Sequence, residues 1–122
     1  MAVLSLALVG APACDVQEPD VIEVMAVFHT QNADDGAVAF SVTTPPPAAV
    51  RSVLPACDGC RAFLYRASDG TAHIVVTGPL ATGPVARLQL DNPAPWFAAQ
   101  LVAVAARGYD SRGLRGYAIA IE

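Results

Sequence analysis

Apolar and polar residues alternate along most of this chain, and the period is two. From Val21 to Thr30, Ile22, Val24, Ala26 and Phe28 fall on one face, against Glu23, Met25, Val27 and His29. From Gly36 to Thr44, Val38, Phe40 and Val42 oppose Ala39, Ser41 and Thr43. This alternation predicts strands with one buried face, because successive side chains of an extended backbone point to opposite sides. Between the two runs lies Gln31 to Gly36, a polar turn carrying an Asp-Gly pair. Thr44-Pro45-Pro46-Pro47 then ends the pairing, since three prolines donate no backbone hydrogen bond. A short strand is expected from Ala49 to Leu54. Ala62 to Arg66 and Ala72 to Thr77 flank Ser68-Asp69-Gly70, which has the turn chemistry of a β-hairpin. Gly78-Pro79 and Gly83-Pro84 punctuate the next connection, and Val85 to Leu90 alternates again with Ala86, Leu88 and Leu90 inward.

Asn92 to Gly108 fits two templates. As a helix it has Asn92 as cap, Pro93 in the first turn and Gly108 as terminator, with alanines that favour the conformation. Pro95 would sit at the third helical position, however, and Val102 and Val104 are β-branched residues two apart. A strand from Phe97 to Arg107 is therefore expected. A polar turn from Tyr109 to Gly113 and a last strand, Tyr117 to Ile121, close the chain. Strands at short, regular spacing between Gly, Pro and Asp turns predict an all-β fold. The expected architecture is an antiparallel two-sheet β-sandwich, immunoglobulin-like or a cohesin-like jelly roll, of roughly seven to nine strands. It forms a single domain over residues 21–122.

Composition supports a packed domain. The chain has 122 residues, 54% of them hydrophobic and 15% charged, so it can bury enough surface to offset the entropy of ordering. No apolar run reaches the roughly 18 residues that span a bilayer as a helix. The net charge is −4, and all seven cations are arginines scattered along the chain. No basic patch for nucleic acid results.

The N-terminus bears on location. Met1 to Val9 is continuously apolar and is followed by Gly10-Ala11-Pro12-Ala13-Cys14. An apolar stretch ending in small residues is how a secretory signal closes, and Ala11-Pro12-Ala13 fits an A-x-A cleavage site. The stretch also resembles the end of a bacterial lipoprotein signal, in which the first mature residue is a cysteine. It departs from that pattern at Ala11, where leucine is usual, at Pro12, and in lacking a positively charged start. A start codon placed too far downstream would account for the last departure. The alternative makes residues 2–9 a buried first strand. The expectation is an export signal over residues 1–13, a tether over residues 14–20 and Cys14 as the lipidated or processed residue. The product is then a membrane-anchored lipoprotein or a secreted, periplasmic protein.

With Cys14 so assigned, Cys57 and Cys60 remain as a C-x-x-C pair. That spacing serves a loop disulfide, a redox pair or half a zinc site. A redox cysteine wants a helix N-terminus to stabilise its thiolate, whereas Pro55, an Asp-Gly turn and a strand surround this pair. Asp58 disfavours a thiolate, and no second ligand pair completes a zinc site. A structural disulfide is the expectation.

The order of features resembles the cohesin-like and carbohydrate-binding family of bacterial β-sandwiches. The residues concerned are Gly36 to Val42, Arg51-Ser52-Val53, Ala62-Phe63, Asp69 to Val76 and Gly83 to Leu88. The resemblance covers about half the chain and rests on strand spacing. It departs from the family in lacking a dockerin-like calcium repeat and in being short for a nine-stranded cohesin. It implies a sandwich used for binding or scaffolding.

Chemistry-bearing residues are sparse. His29 and His73 fall on the less apolar faces of their strands and outside any nucleophile motif. The aspartates cluster at turns (Asp34-Asp35-Gly36, Asp58-Gly59, Asp69-Gly70 and Asp110), where they bond their own backbone. A calcium site on Asp34 and Asp35 would lack the ordered spacing of an EF-hand loop. Phe28, Phe40, Phe63 and Phe97 are expected in the core. Trp96, Tyr109, Arg112 and Arg115 are the candidates for a ligand surface, with Trp96 also suited to capping the sandwich. The function expected is non-catalytic: binding, adhesion or scaffolding at the cell envelope, for a protein or carbohydrate ligand, without cofactor or metal. The alternative is a small periplasmic redox protein or hydrolase acting through Cys57 and Cys60 or the turn carboxylates.

Overall fold

The structure, a computed structural model, describes residues 22–67 and 70–122. The expected export signal, tether and Cys14, together with Val21, Ser68 and Asp69, lie outside the described residues. Nine strands follow one another: β1 (Ile22–His29), β2 (Asp35–Thr43), β3 (Val50–Pro55), β4 (Arg61–Arg66), β5 (Ala72–Leu80), β6 (Gly83–Leu90), β7 (Ala98–Ala106), β8 (Ser111–Arg112) and β9 (Ala118–Ile121). They form two antiparallel sheets, β3-β6-β1-β9 and β4-β5-β2-β7-β8, packed as a β-sandwich. No helix occurs among the described residues, so none is long and apolar enough to cross a membrane. Within the Asn92 to Gly108 segment Ala98–Ala106 forms a strand, β7, where the half-buried core-face residues Ala99 and Leu101 alternate with exposed ones.

The core lies between the sheets and is filled by the inward positions that the alternation marks. Ala26 and Phe28 of β1, Val38, Phe40 and Val42 of β2, Ile74 and Val76 of β5, and Leu88 and Leu90 of β6 are all at most 1% exposed. Cross-strand register sets the contacts: Phe40 stands opposite Ile74 on one side and Leu101 on the other. Such pairs are the unit by which a sheet is stabilised.

Three expectations are corrected. Gly78-Pro79 and Gly83-Pro84 lie inside β5 and β6 and not between strands. Both pairs sit at register shifts: Asp35 faces Leu80 while Ala37 faces Thr77, and Val27 faces Pro84 while Ala26 faces Ala86. In β5 the extra residue falls at Gly78-Pro79, where proline needs no ladder partner, whereas in β6 it is Val85 and Pro84 sits at the start of the strand. The β6 bulge also explains why the neighbours Val85 and Ala86 are both fully buried. Gly78, at φ 136°, meets the disulfide loop so closely that a Cβ there would stand 2.9 Å from both the Cys60 Cα and the Gly59 carbonyl oxygen. Phe63 is 54% exposed and not in the core. In β4 it is Ala62 and Leu64 that pack inward, which turns Phe63 and Tyr65 out. The turn from Tyr109 to Gly113 contains the two-residue strand β8, paired to Val104 and Ala105.

Candidate functional site

The β2 strand runs from one end of the sandwich to the other, about 27 Å for its length. At its C-terminal end the chain leaves the sheet through Thr44 and the three prolines, and returns as β3. Pro45 accepts a bond from the Ala48 amide, and the Thr44 hydroxyl donates to the Ala48 carbonyl at 2.9 Å. Asp91 fixes the far side of the same turn: its Oδ1 accepts from the Ala49 amide at 3.0 Å, while its own amide donates to the Ala49 carbonyl. The proline turn is thus tied at both ends to neighbouring segments.

Beside it, the segment that leads into β7 carries Trp96, 50% exposed. Trp96, the run from Thr43 to Ala49, and Gly70 of the β4–β5 hairpin enclose an open cleft of about 520 Å³. That volume lies within the roughly 300–1,000 Å³ range of small-ligand sites. Among the described residues its walls hold no charged one; they are proline rings, alanine methyls, one indole, Gly70 and the two threonines. Prolines fix φ and leave little freedom to lose on binding, so the cleft is preorganised for a neutral ligand with an apolar face.

The other candidates lie at the opposite end. There β2 begins with Asp35, which is 0% exposed although the sequence places it in a polar turn. Its carboxylate is fully used. Oδ2 accepts from the Thr30 hydroxyl, and Oδ1 from the Tyr117 hydroxyl at 2.9 Å. Arg112 approaches Asp35 Oδ1 at 3.5 Å and pairs with Asp34 Oδ1 at 2.8 Å. The Asn32 amide donates to the Tyr117 hydroxyl at 2.7 Å, and the Tyr117 ring stacks on Phe28 at 5.8 Å. The hydrogen bond to Tyr117, and after it Asp34, hold the Arg112 guanidinium above its usual range. Buried carboxylates persist only when paired and hydrogen-bonded, and here an arginine supplies the charge that a calcium ion would bring to Asp34 and Asp35.

Arg112, a quarter exposed, is thus held by Asp34, Asp35 and Tyr117 of its own chain. Tyr109, 90% exposed, lines a smaller depression of about 380 Å³ with Ala106 and Gly78. Arg115 is exposed in the loop before β9. The structure thus brings Tyr109, Arg112 and Arg115 to one end and leaves Trp96 alone at the other. The partners of Trp96, the prolines, were read in the sequence only as strand breakers. Their spacing to Trp96 carries no signal, since tertiary packing alone joins them.

Among the remaining residues, His29 and His73 are exposed, and the His73 ring lies 6.1 Å from that of Tyr65. Cys57 and Cys60 stand at disulfide distance, with sulfurs 2.00 Å and Cα atoms 5.4 Å apart, within the geometry a disulfide requires. The Cys60 amide donates to the Cys57 carbonyl across the turn, and Gly59 takes φ 75°, a conformation that glycine adopts without a Cβ clash. The turn leads directly into β4. Compared with known proteins, the chain matches no family model, no curated protein and no solved structure.

Proposed function

We propose that this chain is a non-catalytic, exported binding domain of the cell envelope, and that the cleft beside Trp96 is its ligand site. One observation carries the reading: a half-exposed tryptophan faces a rigid, uncharged proline wall across a cleft of ligand size. Burying the indole in the core would have been favourable, and its partial exposure leaves an aromatic face available for stacking. The ligand class that fits is neutral with an apolar face, a sugar ring or an apolar side chain of a protein. This agrees with what the resemblance to cohesin-like and carbohydrate-binding sandwiches implies. In the same reading Cys14 carries a lipid anchor or marks the processed N-terminus.

The test compares the wild type with Trp96→Ala by titration calorimetry against a panel of neutral oligosaccharides and proline-rich peptides. Tryptophan anchors commonly contribute about 2 kcal/mol or more, so affinity for the bound member should fall about 30-fold or more. The thermal unfolding midpoint should move little. Equal binding by wild type and variant would remove Trp96 from the site.

The Cys57–Cys60 pair is a structural disulfide in this account. Closing so short a loop stabilises the fold by about 2 kcal/mol in the chain-entropy description. Cys57→Ser with Cys60→Ser should lower stability by that amount and leave ligand affinity unchanged. Thiol titration of the unfolded, unreduced wild type should find neither of these cysteines reactive; a reactive, low-pKa thiol in the native protein would favour redox chemistry instead.

A further inference from the structure

The outward face of the five-stranded sheet is apolar across its middle. Register places Phe63, Val75, Ala39 and Ala103 side by side on neighbouring strands, in one row. Their chain neighbours, among them Leu64, Ile74, Val38 and Phe40, pack into the core, so this row points away from it. The next row toward the Trp96 end is Tyr65, His73, Ser41 and Gln100, and the row on the other side runs from Arg61 through Thr77, Ala37 and Ala105 to Ser111. Phe63, Tyr65 and Val102, the extra residue of the β7 bulge, are each more than half exposed, and Val75 is exposed beside them. Among the described residues these rows hold no acidic side chain, and Arg61 stands at their margin. Exposed apolar patches of this extent mark interaction surfaces.

The relief of the face selects its occupant. The β4–β5 half carries the bulky side chains Phe63, Tyr65 and Val75, whereas the β2–β7 half is mostly alanine along the same rows. A two-fold axis parallel to the strands, between β5 and β2, lays the bulky half of one copy on the small half of another. Phe63 then meets Ala103 of the second copy, and Val75 meets Ala39. Tyr65 meets Gln100 and His73 meets Ser41, so polar groups find polar partners. Val102, between Gln100 and Ala103, falls between Tyr65 and Phe63. Arg61 comes down beside β8, which Asp110 precedes, and far from the second copy's Arg61. Apolar cover by another segment needs no such match of halves; an isologous contact does, because one patch must complement itself. The chain before Ile22, moreover, joins the fold in the other sheet, on the far side of the sandwich from this face.

We propose that the protein is a two-fold dimer paired through this face. Five strands about 4.8 Å apart and five residues of about 3.4 Å give a flat footprint of roughly 400 Å² per copy. The protruding rings raise the accessible area above that, so the pair reaches the roughly 1,000 Å² of a weak, specific dimer. Two sheets so stacked pack as aligned sheets do, about 10 Å apart. Because the axis runs along the strands, both Trp96 clefts open at the same end of the dimer. A ligand with repeated units is then held at two clefts at once, which raises its apparent affinity without a new contact. That consequence rests on the cleft being the ligand site; the dimer does not.

Sedimentation velocity of the full chain, at concentrations up to about 100 μM, tests the pairing. The wild type should pass from monomer to dimer as concentration rises. Phe63→Lys alone and Ala103→Glu alone should each weaken the dimer about 30-fold or more. An equimolar mixture of the two variants should dimerise again. In the mixed dimer the new lysine of one copy faces the new glutamate of the other, and the second contact of the pair is still Phe63 on Ala103. Should either variant fail to fold, Val75→Lys with Ala39→Glu makes the same test one strand further in. Trp96→Ala should dimerise like the wild type, so its loss of ligand bears on the cleft alone. A wild type that stays monomeric throughout would leave the face to its own chain or to another partner, and overturns the proposal. So does a dimer that survives both substitutions, a mixture that stays monomeric, or a dimer lost in Trp96→Ala.

Discussion

Alanine at Phe40 is expected to remove about 3–5 kcal/mol of stability, and alanine at Ile74 about 2–5 kcal/mol. Both side chains are at most 1% exposed, and they face one another across the β2–β5 ladder. Truncating Phe40 leaves a void bounded by Ile74 and Leu101 on the neighbouring strands, and a framework of paired strands on both sides has little room to collapse into it. For a domain whose whole stability is about 5–15 kcal/mol, either loss is a large share. Because the two residues touch one cavity, the double variant should fall short of the sum of the single losses. Urea unfolding followed by far-ultraviolet circular dichroism measures all three. A loss below about 1 kcal/mol at Phe40 would contradict the packing described.

Asp35→Ala should cost a similar amount, about 3–5 kcal/mol, for a different reason. The substitution removes the acceptor for the Thr30 and Tyr117 hydroxyls in a buried place, and leaves Arg112 with only Asp34. Each buried donor so orphaned costs about 1–3 kcal/mol, while the lost ion pair adds little, because Arg112 is a quarter exposed and keeps Asp34. Tyr117→Phe deletes one hydroxyl but keeps the ring on Phe28, so its cost should be clearly smaller. Asp35→Asn keeps the shape and loses the charge, and should fall between them. Unfolding curves for the three variants, read at equal slope, give the order. If Asp35→Ala were as mild as Tyr117→Phe, the cluster would not be what closes this end of the sandwich.

The contrast between these two residues shows what the sequence makes legible. Phe40 lies in a run where apolar residues recur at every second position, so both its strand and its inward direction follow from local pattern. Asp35 lies in a run of polar residues with turn chemistry, and nothing local separates it from Asp34, whose side chain is exposed. Burial of Asp35 depends on Thr30, Arg112 and Tyr117, the last two far along the chain. In β4 every residue from Ala62 to Tyr65 is apolar or aromatic, so alternation does not choose a face; the pairing of Leu64 with Ile74 does. Gly78-Pro79 and Gly83-Pro84 carry turn composition but lie in strands beside bulges, which composition does not distinguish from turns. The Cys57–Cys60 turn was legible because its geometry is wholly local. The cleft was legible in one residue only, Trp96, since its wall comes from the proline turn and the hairpin at Gly70.

Trp96 is the only tryptophan in the chain, so its emission reports on the cleft and on nothing else. The decisive measurement is a fluorescence titration of the native protein with the neutral oligosaccharides and proline-rich peptides, each combined with acrylamide quenching. A ligand seated in the cleft should shift the emission saturably to shorter wavelength and shield the half-exposed indole from the quencher. Saturable binding, measured independently by calorimetry, that leaves both emission and quenching unchanged would place the ligand elsewhere and contradict the account.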